Sequence, residues 1–278
     1  MKAKDFYQYI FSNVSQILPE EKELQPLTSI IFKHFVSDEF SLPLNKEISN
    51  LDHNLLGNIF CRLKKNEPIQ YILQETFFLN LELFVDENVL IPRPETEEMV
   101  SDIYKNFDSN KKNILDIGTG SGCIALALKK KFVNVQVDAI DINSKSLEVA
   151  RRNAKKNNLE INFMEKDILR TEILEQEYDL IVSNPPYVCA SEKIFMSDRV
   201  LNFEPSTALF VEDKDPSVFY KKIISLAEKS LNAKGLLFLE INEKFGKEII
   251  RLLFNFQNVI INKDINGKDR WIRAEFLK

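Results

Sequence analysis

The chain has 278 residues, of which 44% are hydrophobic and 28% charged, as in an ordinary globular protein with a buried core. Its formal net charge of −5 disfavours sequence-independent binding to nucleic acid, which needs clustered positive charge. No apolar run is long enough to span a membrane, and the first residues lack the layout of a secretory signal. We therefore expect a cytoplasmic protein.

Neither a disulfide framework nor a metal site is expected. The three cysteines, Cys61, Cys123 and Cys189, are widely spaced, which favours reduced thiols. The two histidines, His34 and His53, lie outside any metal-binding pattern, so packing or surface positions are expected for them.

Residues 1–73 predict a small helical domain. Apolar side chains recur at helical spacing in residues 6–14, 27–35 and 51–60. Three prolines, Pro19, Pro26 and Pro43, are expected at or near the breaks between these helices.

Residues 74–94 predict a β-hairpin followed by a linker. The stretches 76–79 and 81–85 alternate around Asn80, which is typical of a short hairpin. Residues 91–97 then form a connector with two prolines, and Pro94 or Glu95 can open a helix. This connector is either a plain linker or, as we expect, part of a pocket wall of the larger domain, residues 95–278.

From Asn113 onward, strands and helices alternate. Strands are predicted at 114–117, 135–140, 161–164, 178–182, 235–240, near Val259 and at 271–276, and the main helices at 123–131, 144–156, 219–231 and 243–254. Such alternation predicts an α/β domain with a mostly parallel sheet covered on both faces. In these sheets, ligands bind beyond the carboxyl ends of the strands.

A glycine-rich loop follows the first strand of this domain. Three of the seven glycines in the chain fall within five positions, in the run Gly118, Thr119, Gly120, Ser121 and Gly122. Glycine permits tight turns and close approach to a ligand, and the next helix presents its N-terminus there. The dinucleotide-binding fingerprint requires a glycine at position 123, which is Cys123, so a nicotinamide cofactor is disfavoured. A purely structural loop remains the alternative.

Two carboxylates follow the next two strands. Asp141 lies about 20 residues beyond the glycine loop, where a carboxylate accepts both hydroxyls of a ribose. Asp167 either accepts an adenine amine or caps a helix N-terminus, and the two readings are equally supported.

The run Ser183-Asn184-Pro185-Pro186-Tyr187 ends a buried strand. The residue before a proline is pushed into an extended conformation, and the prolines themselves have no N–H group. The turn therefore offers a ligand the Asn184 side-chain oxygen and backbone carbonyls, beside the flat ring of Tyr187. This set suits a planar amide or an exocyclic amine.

Taken together, these motifs resemble the class I S-adenosylmethionine-dependent methyltransferases, and more narrowly the PrmC/HemK family, the protein-(glutamine N5) methyltransferases of peptide-chain release factors. The narrower resemblance rests on residues 67–71, 91–97, 202–205 with 208–209, and 268–270. It covers roughly residue 67 to the end. The tetrapeptide 184–187 alone is not specific, because adenine N6 methyltransferases also carry it.

The resemblance implies a Rossmann-like domain with a seven-stranded sheet, an N-terminal substrate-recognition domain at residues 1–73, and a monomer. It implies methyl transfer from S-adenosylmethionine to the glutamine of the GGQ motif of class I release factors, leaving S-adenosylhomocysteine. The implied catalytic residues are Asn184, Pro185, Pro186 and Tyr187. The implied cofactor site comprises residues 118–122, Asp141, Asp167, Ile168 and Asn184.

Two positions depart from the family pattern: Ile168 replaces a frequent aromatic residue, and Asn242 replaces a frequent glycine. The alternatives are a ribosomal-protein glutamine methyltransferase, an adenine N6 nucleic-acid methyltransferase, a nicotinamide-dependent oxidoreductase and a non-catalytic cofactor-binding module. The acidic balance and the small helical N-terminal region disfavour a nucleic-acid substrate.

Overall fold

The computed structural model describes residues 1–18, 21–36, 45–48, 51–108 and 110–277. It divides the chain into two compact units, Met1–Gln74 and Glu75–Lys278. Within the described residues, the first unit contains helices α1 (Ala3–Ile17), α2 (Glu21–Phe35), α3 (His53–Leu63) and α4 (Ile69–Leu73).

The core of the first unit is formed by the apolar faces of its helices. Phe6, Ile10 and Val14 of α1 are fully buried and pack in one cluster with Leu27 and Ile31 of α2. Burial of such side chains, rather than intrinsic helix propensity, supplies most of the stability of short helices.

The expected helix break at Pro26 is wrong. Pro26 lies inside α2, beyond the first turn where proline is tolerated without loss of a hydrogen bond. Leu24 and Leu27 on either side of it are buried in the core, and this burial stabilises the helix despite the hydrogen bond lost at the proline. Pro19 and Pro43 lie outside the described residues.

The second unit is built around a seven-stranded sheet. The strands of the unit are β1 (Thr76–Phe78), β2 (Leu81–Leu83), β3 (Asn113–Ile117), β4 (Gln136–Asp141), β5 (Asn162–Glu165), β6 (Tyr178–Ser183), β7 (Val188–Cys189), β8 (Phe210–Val211), β9 (Leu231–Glu240), β10 (Phe256–Lys263) and β11 (Asp269–Phe276). Its helices are α5 (Pro94–Asn106), α6 (Cys123–Lys131), α7 (Ser144–Lys156), α8 (Asp198–Phe203), α9 (Ser206–Leu209), α10 (Val218–Ser230) and α11 (Gly246–Leu252).

The strand order of the large sheet is β10-β11-β9-β6-β3-β4-β5. Strands β9, β6, β3, β4 and β5 are parallel, and β10 and β11 add an antiparallel edge. The chain runs from β3 outward through β4 to β5 and then returns to β6 on the other side of β3. This reversal makes the carboxyl ends of β3 and β6 the point where a crevice for a ligand opens.

Helices cover both faces of the sheet. One core combines α5 and α6 with the β1–β2 hairpin, and the other combines α10 and α11. The predicted mostly parallel, Rossmann-like α/β fold is confirmed. The short elements between Val188 and Val211 were not predicted, because they are too brief to show a hydrophobic period. No helix in the described part of the chain is long and apolar enough to span a membrane.

Candidate active site

The carboxyl ends of four neighbouring parallel strands form one row. The register pairs Ile140, Ile117, Ser183 and Leu239 across β4, β3, β6 and β9. The next residue along each strand therefore lies beside its neighbours at the sheet edge. In order, these residues are Asp141, Gly118, Asn184 and Glu240.

A cavity of about 410 Å³ opens at this edge, within the range of about 300–1,000 Å³ typical of small-molecule sites. Ten of the predicted site residues line it: Gly118, Thr119, Gly120, Ser121, Asp141, Asp167, Ile168, Asn184, Pro185 and Pro186. Gly122 and Tyr187 are not among its lining residues. The connector contributes Pro92, Arg93 and Thr96, which confirms that it walls the pocket.

The glycine loop adopts backbone conformations that other residues rarely reach. Gly118 has φ of +74° and Gly120 has φ of +53°. A Cβ at Gly120 would meet nothing within 4 Å, so the backbone is open to a ligand there. Gly122 instead serves packing, since a Cβ there would lie 3.2 Å from the Cβ of Ala150 in α7.

Asp141 holds the glycine loop in place. Its Oδ2 accepts the N–H of Gly120 at 2.9 Å, and its Oδ1 accepts the N–H of Asn143 at 2.9 Å. Burial raises the pKa of this carboxyl, although the backbone N–H groups oppose the shift. A carboxylate has about four acceptor positions, so both oxygens can still accept hydroxyls from a ligand.

A second carboxyl, Asp116, lies beneath the same loop. Its Oδ2 accepts the Thr119 hydroxyl at 2.7 Å and the Ala125 N–H at 3.2 Å. Its Oδ1 is buried without a hydrogen-bond partner among the described residues. Burial raises the pKa of Asp116 to about 7.

Asp167 lies at the cavity, where the adenine reading places it, but it does not cap a helix. It lines the cavity, and its Oδ1 accepts the Leu169 N–H at 2.9 Å. The capped element is a turn over 168–170 rather than a helix. Ile168 supplies an apolar wall beside it.

Asn184 directly follows β6 and is one of the residues that line the cavity. Its Nδ2 donates to the Thr96 hydroxyl at 3.2 Å, and within the described residues its Oδ1 accepts no hydrogen bond. An Asn oxygen ordinarily binds the N–H two residues on, but positions 185 and 186 are prolines without N–H groups. The turn therefore leaves the oxygen uncommitted.

Glu240 lies behind Asn184 in a buried position. Its Oε2 accepts the Thr96 hydroxyl at 2.6 Å, and its Oε1 accepts the Tyr187 hydroxyl at 3.1 Å. Burial raises the pKa of Glu240 to about 7, while these hydrogen bonds and Arg270 act in the opposite direction.

Asn242, one of the departures from the family pattern, braces the proline turn. Its Nδ2 donates to the Tyr187 carbonyl at 3.3 Å and to Glu192 at 3.3 Å, while its Oδ1 accepts the Lys244 N–H at 3.0 Å. The late loop is thus tied to the turn by a side chain that glycine would lack.

Two further contacts hold the cavity walls together. The Arg93 guanidinium donates at 2.6 Å to Glu204, whose side chain is buried, and so joins the connector to the segment after the proline turn. Asn153, fully buried in α7, donates to the carbonyls of Phe84 and Ser121 at 2.9 Å and accepts the Phe84 N–H.

Sequence reasoning missed the roles of Thr96, Glu240 and Asn153. A signal was present for Glu240, because it ends an apolar strand at the same edge as Asp141. No local signal marks Thr96 or Asn153, whose partners lie 88 and 69 residues away in the chain.

The fold and the cavity define a methyltransferase-type domain. Residues 96–202 match the family model described as the methyltransferase small domain. A methyltransferase from Pyrococcus furiosus has the same fold, with a TM-score of 0.54 and 23% identity over 78% of this chain and 96% of that chain.

Full-length relatives narrow the class to one family. The release factor glutamine methyltransferase of Flavobacterium psychrophilum is 47% identical over 92% of this chain and 93% of its own length. That of Bacteroides thetaiotaomicron is 40% identical over 96% and 97%. The chain belongs to the release factor glutamine methyltransferase family.

Proposed function

We propose that the protein transfers a methyl group from S-adenosylmethionine to the side-chain nitrogen of the glutamine in the GGQ motif of class I release factors. Family membership supports the substrate. The observation that supports the chemistry is Asn184, which lines the cavity together with the glycine loop and whose carboxamide oxygen is uncommitted within the described residues.

The residues present fit S-adenosylmethionine as the cofactor. Gly120 leaves open space over its backbone, and Asp141 retains acceptor positions for the ribose hydroxyls. Ile168 offers an apolar surface, and Asp167 an acceptor, for the adenine. Thr119 and Ser121 are the other loop residues that line the cavity beside the remaining part of the cofactor. When bound, S-adenosylmethionine supplies an electrophilic methyl group on sulfur.

Orientation of the substrate amide is the main task of the protein in this proposal. An amide nitrogen is a weak nucleophile because its lone pair is delocalised into the carbonyl. The Asn184 oxygen and the Pro185 carbonyl accept the two hydrogens of the glutamine amide, which aims its nitrogen into the cavity. Pro186 keeps the turn rigid, and Tyr187, which lies next to the cavity rather than in its lining, packs against the amide plane with its hydroxyl held by Glu240. With S-adenosylmethionine bound, the glutamine nitrogen would bond to the methyl carbon as the carbon–sulfur bond breaks, S-adenosylhomocysteine would leave with that electron pair, and one proton of the nitrogen would go to solvent.

Positioning of this kind lowers an activation barrier without a strong base, because the entropy of alignment is lost on binding rather than in the transition state. Acceptors aimed at the hydrogens that become more acidic add electrostatic stabilisation. In this proposal the helical unit, Met1–Gln74, recognises the release factor, and the enzyme acts in the cytoplasm as a monomer without binding nucleic acid.

Mass spectrometry of a purified class I release factor tests the proposal. After incubation with this protein and S-adenosylmethionine, we expect one added methyl group on the GGQ glutamine. A release factor with that glutamine replaced by alanine is the control and should stay unmodified. Parallel reactions contain ribosomal protein and DNA. Methylation confined to either of these would contradict the proposal.

A further inference from the structure

The Asn184 carboxamide can serve as an acceptor only if its oxygen, and not its nitrogen, faces the substrate. The two orientations have almost the same shape, so packing alone does not select between them. A hydrogen-bond partner with a fixed polarity must do so.

We propose that Thr96 and Glu240 are the positioning residues that select this orientation. The Thr96 hydroxyl is within hydrogen-bond distance of both Asn184 Nδ2, at 3.2 Å, and Glu240 Oε2, at 2.6 Å. The orientation of the Asn184 amide follows from these contacts alone, and only its role in binding the glutamine amide rests on the function proposed above.

The polarity follows from the number of protons available. A hydroxyl has one hydrogen, and an ionised carboxylate only accepts hydrogen bonds. With Glu240 ionised, the single Thr96 hydrogen is donated to Glu240. The Thr96 oxygen can then only accept, so the Asn184 NH₂ group must face Thr96. The Asn184 oxygen is thereby turned toward the cavity.

Burial makes this selection strong. Thr96 is 2% exposed and Glu240 is 1% exposed, so water does not replace either hydrogen bond. An unpaired buried polar group costs more than a typical hydrogen bond contributes, which disfavours the flipped amide. In this proposal the connector positions Thr96 against the proline turn at Asn184, which is 88 residues away in the chain.

Protonation of Glu240 would remove the preference for one orientation of the Asn184 amide. A protonated Glu240 can donate to the Thr96 oxygen, and the Thr96 hydroxyl hydrogen is then free to be donated to the Asn184 oxygen. The charged or titratable groups around Glu240 are Tyr187, Tyr220, Arg270, Glu95 and Cys123. Burial raises the pKa of both tyrosines and raises that of Cys123 to about 12, so these groups stay protonated near neutrality. Orientation of Asn184 should therefore weaken as the pH falls below about 7, the pKa of Glu240.

Substitutions at Thr96 test the proposal. Thr96→Val keeps the shape but removes the hydroxyl, and we expect kcat to fall about tenfold, equal to about 1.4 kcal/mol. The dissociation constant for S-adenosylmethionine should change little. Thr96→Ser restores a hydroxyl and should recover most of the lost rate.

The matched control is Tyr178→Phe. It removes a buried hydroxyl–carboxylate hydrogen bond of the same kind, 2.8 Å to Asp138, at the opposite end of β6. This variant should lose stability but keep the wild-type kcat.

Nuclear magnetic resonance of the ligand-free protein gives a readout that does not depend on activity. The ¹⁵N-labelled side-chain amide of Asn184 should shift and exchange faster with water in Thr96→Val. In the wild type this signal should titrate with Glu240, and in Glu240→Gln the titration should disappear. Wild-type kcat in Thr96→Val, or an Asn184 signal unaffected by Thr96→Val and Glu240→Gln, would overturn the proposal. Failure of methylation by the wild type would instead reject the proposed function and leave the amide measurement decisive.

Discussion

Asp141 ends β4 and Asn184 directly follows β6, the two strands that flank β3, yet their side chains make opposite kinds of hydrogen bond. Both oxygens of Asp141 accept backbone N–H groups, one of them from the residue two positions on. The oxygen of Asn184 accepts none within the described residues, and its nitrogen is fixed by Thr96. On the Asp141 side of the cavity, the carboxylate oxygens already accept hydrogen bonds from the protein, whereas on the Asn184 side the amide oxygen is free to accept one from a ligand.

The difference originates in the two prolines. Other Asx side chains in the second unit bind the N–H two residues on, as Asp86 does with Asn88, Asn242 with Lys244 and Asp264 with Asn266. Asn184 cannot do so, because Pro186 lacks that N–H group. Asp141 and Asn184, at equivalent positions in the sheet, therefore differ in how far the backbone has already satisfied their side-chain oxygens, and the proposed roles in cofactor binding and catalysis follow this difference.

The largest effect is expected from Asn184→Ala. Loss of the uncommitted acceptor should reduce kcat about 100-fold, or about 2.7 kcal/mol, while the dissociation constant for S-adenosylmethionine, to whose implied site Asn184 also belongs, should change far less than kcat. Steady-state methylation kinetics and calorimetry measure the two quantities. Asn255→Ala, at an exposed position, is the control and should be silent. Turnover within a few-fold of wild type would refute the role of Asn184.

Asp141→Ala should produce the converse result, with cofactor affinity lost first. Hydrogen bonds to a charged group are worth about 1.5–3 kcal/mol, so the dissociation constant should rise about 10- to 100-fold. Titration calorimetry measures it. Asp141→Asn keeps one oxygen and should lose less affinity. Unchanged affinity in the alanine variant would remove the ribose assignment.

Much of this comparison could be predicted from the sequence, because its signals are local. Strand and helix periodicity placed Asp141 and Asn184 at strand ends, and the glycines marked the loop between them. The polarity of Asn184 could not be predicted, since it depends on Thr96 and Glu240, which are distant in sequence and meet only through strand register. The helix break predicted at Pro26 was also wrong because of tertiary structure: burial of the neighbouring Leu24 and Leu27 outweighed the local tendency of proline to end a helix.

A pH dependence of stability is expected from the buried carboxyl beneath the glycine loop, Asp116, as it is from Glu240 on the other side of the cavity. The pKa of Asp116 is raised to about 7 in the folded protein from an ordinary value of 3.8. Between these values the folded state binds more protons than the unfolded state, so the stability contribution is present below pH 4 and is lost as the pH rises to about 7. The slope from one such group is at most about 1.4 kcal/mol per pH unit.

Asp116→Asn should flatten this dependence, because an amide mimics the protonated acid. Urea unfolding at several pH values between 5 and 8 measures the free energy of unfolding of both proteins. The contributions of all other carboxyls are shared by the two proteins and cancel in the difference between the two curves. Parallel curves for the two proteins would show that Asp116 is ionised in the fold.

The smallest effect is expected from Pro186→Ala, which most directly tests why the two strand ends differ. The substitution restores an N–H two residues after Asn184, and the side-chain oxygen can then bind it as the neighbouring Asx residues do. Part of the population would lose its free acceptor, and kcat should fall about fivefold, or about 1 kcal/mol. Pro185→Ala restores an N–H one residue on, outside this turn, and serves as the control for lost rigidity. A larger loss from Pro185→Ala than from Pro186→Ala would mean that stiffness of the turn, rather than protection of the Asn184 oxygen, is what the prolines provide.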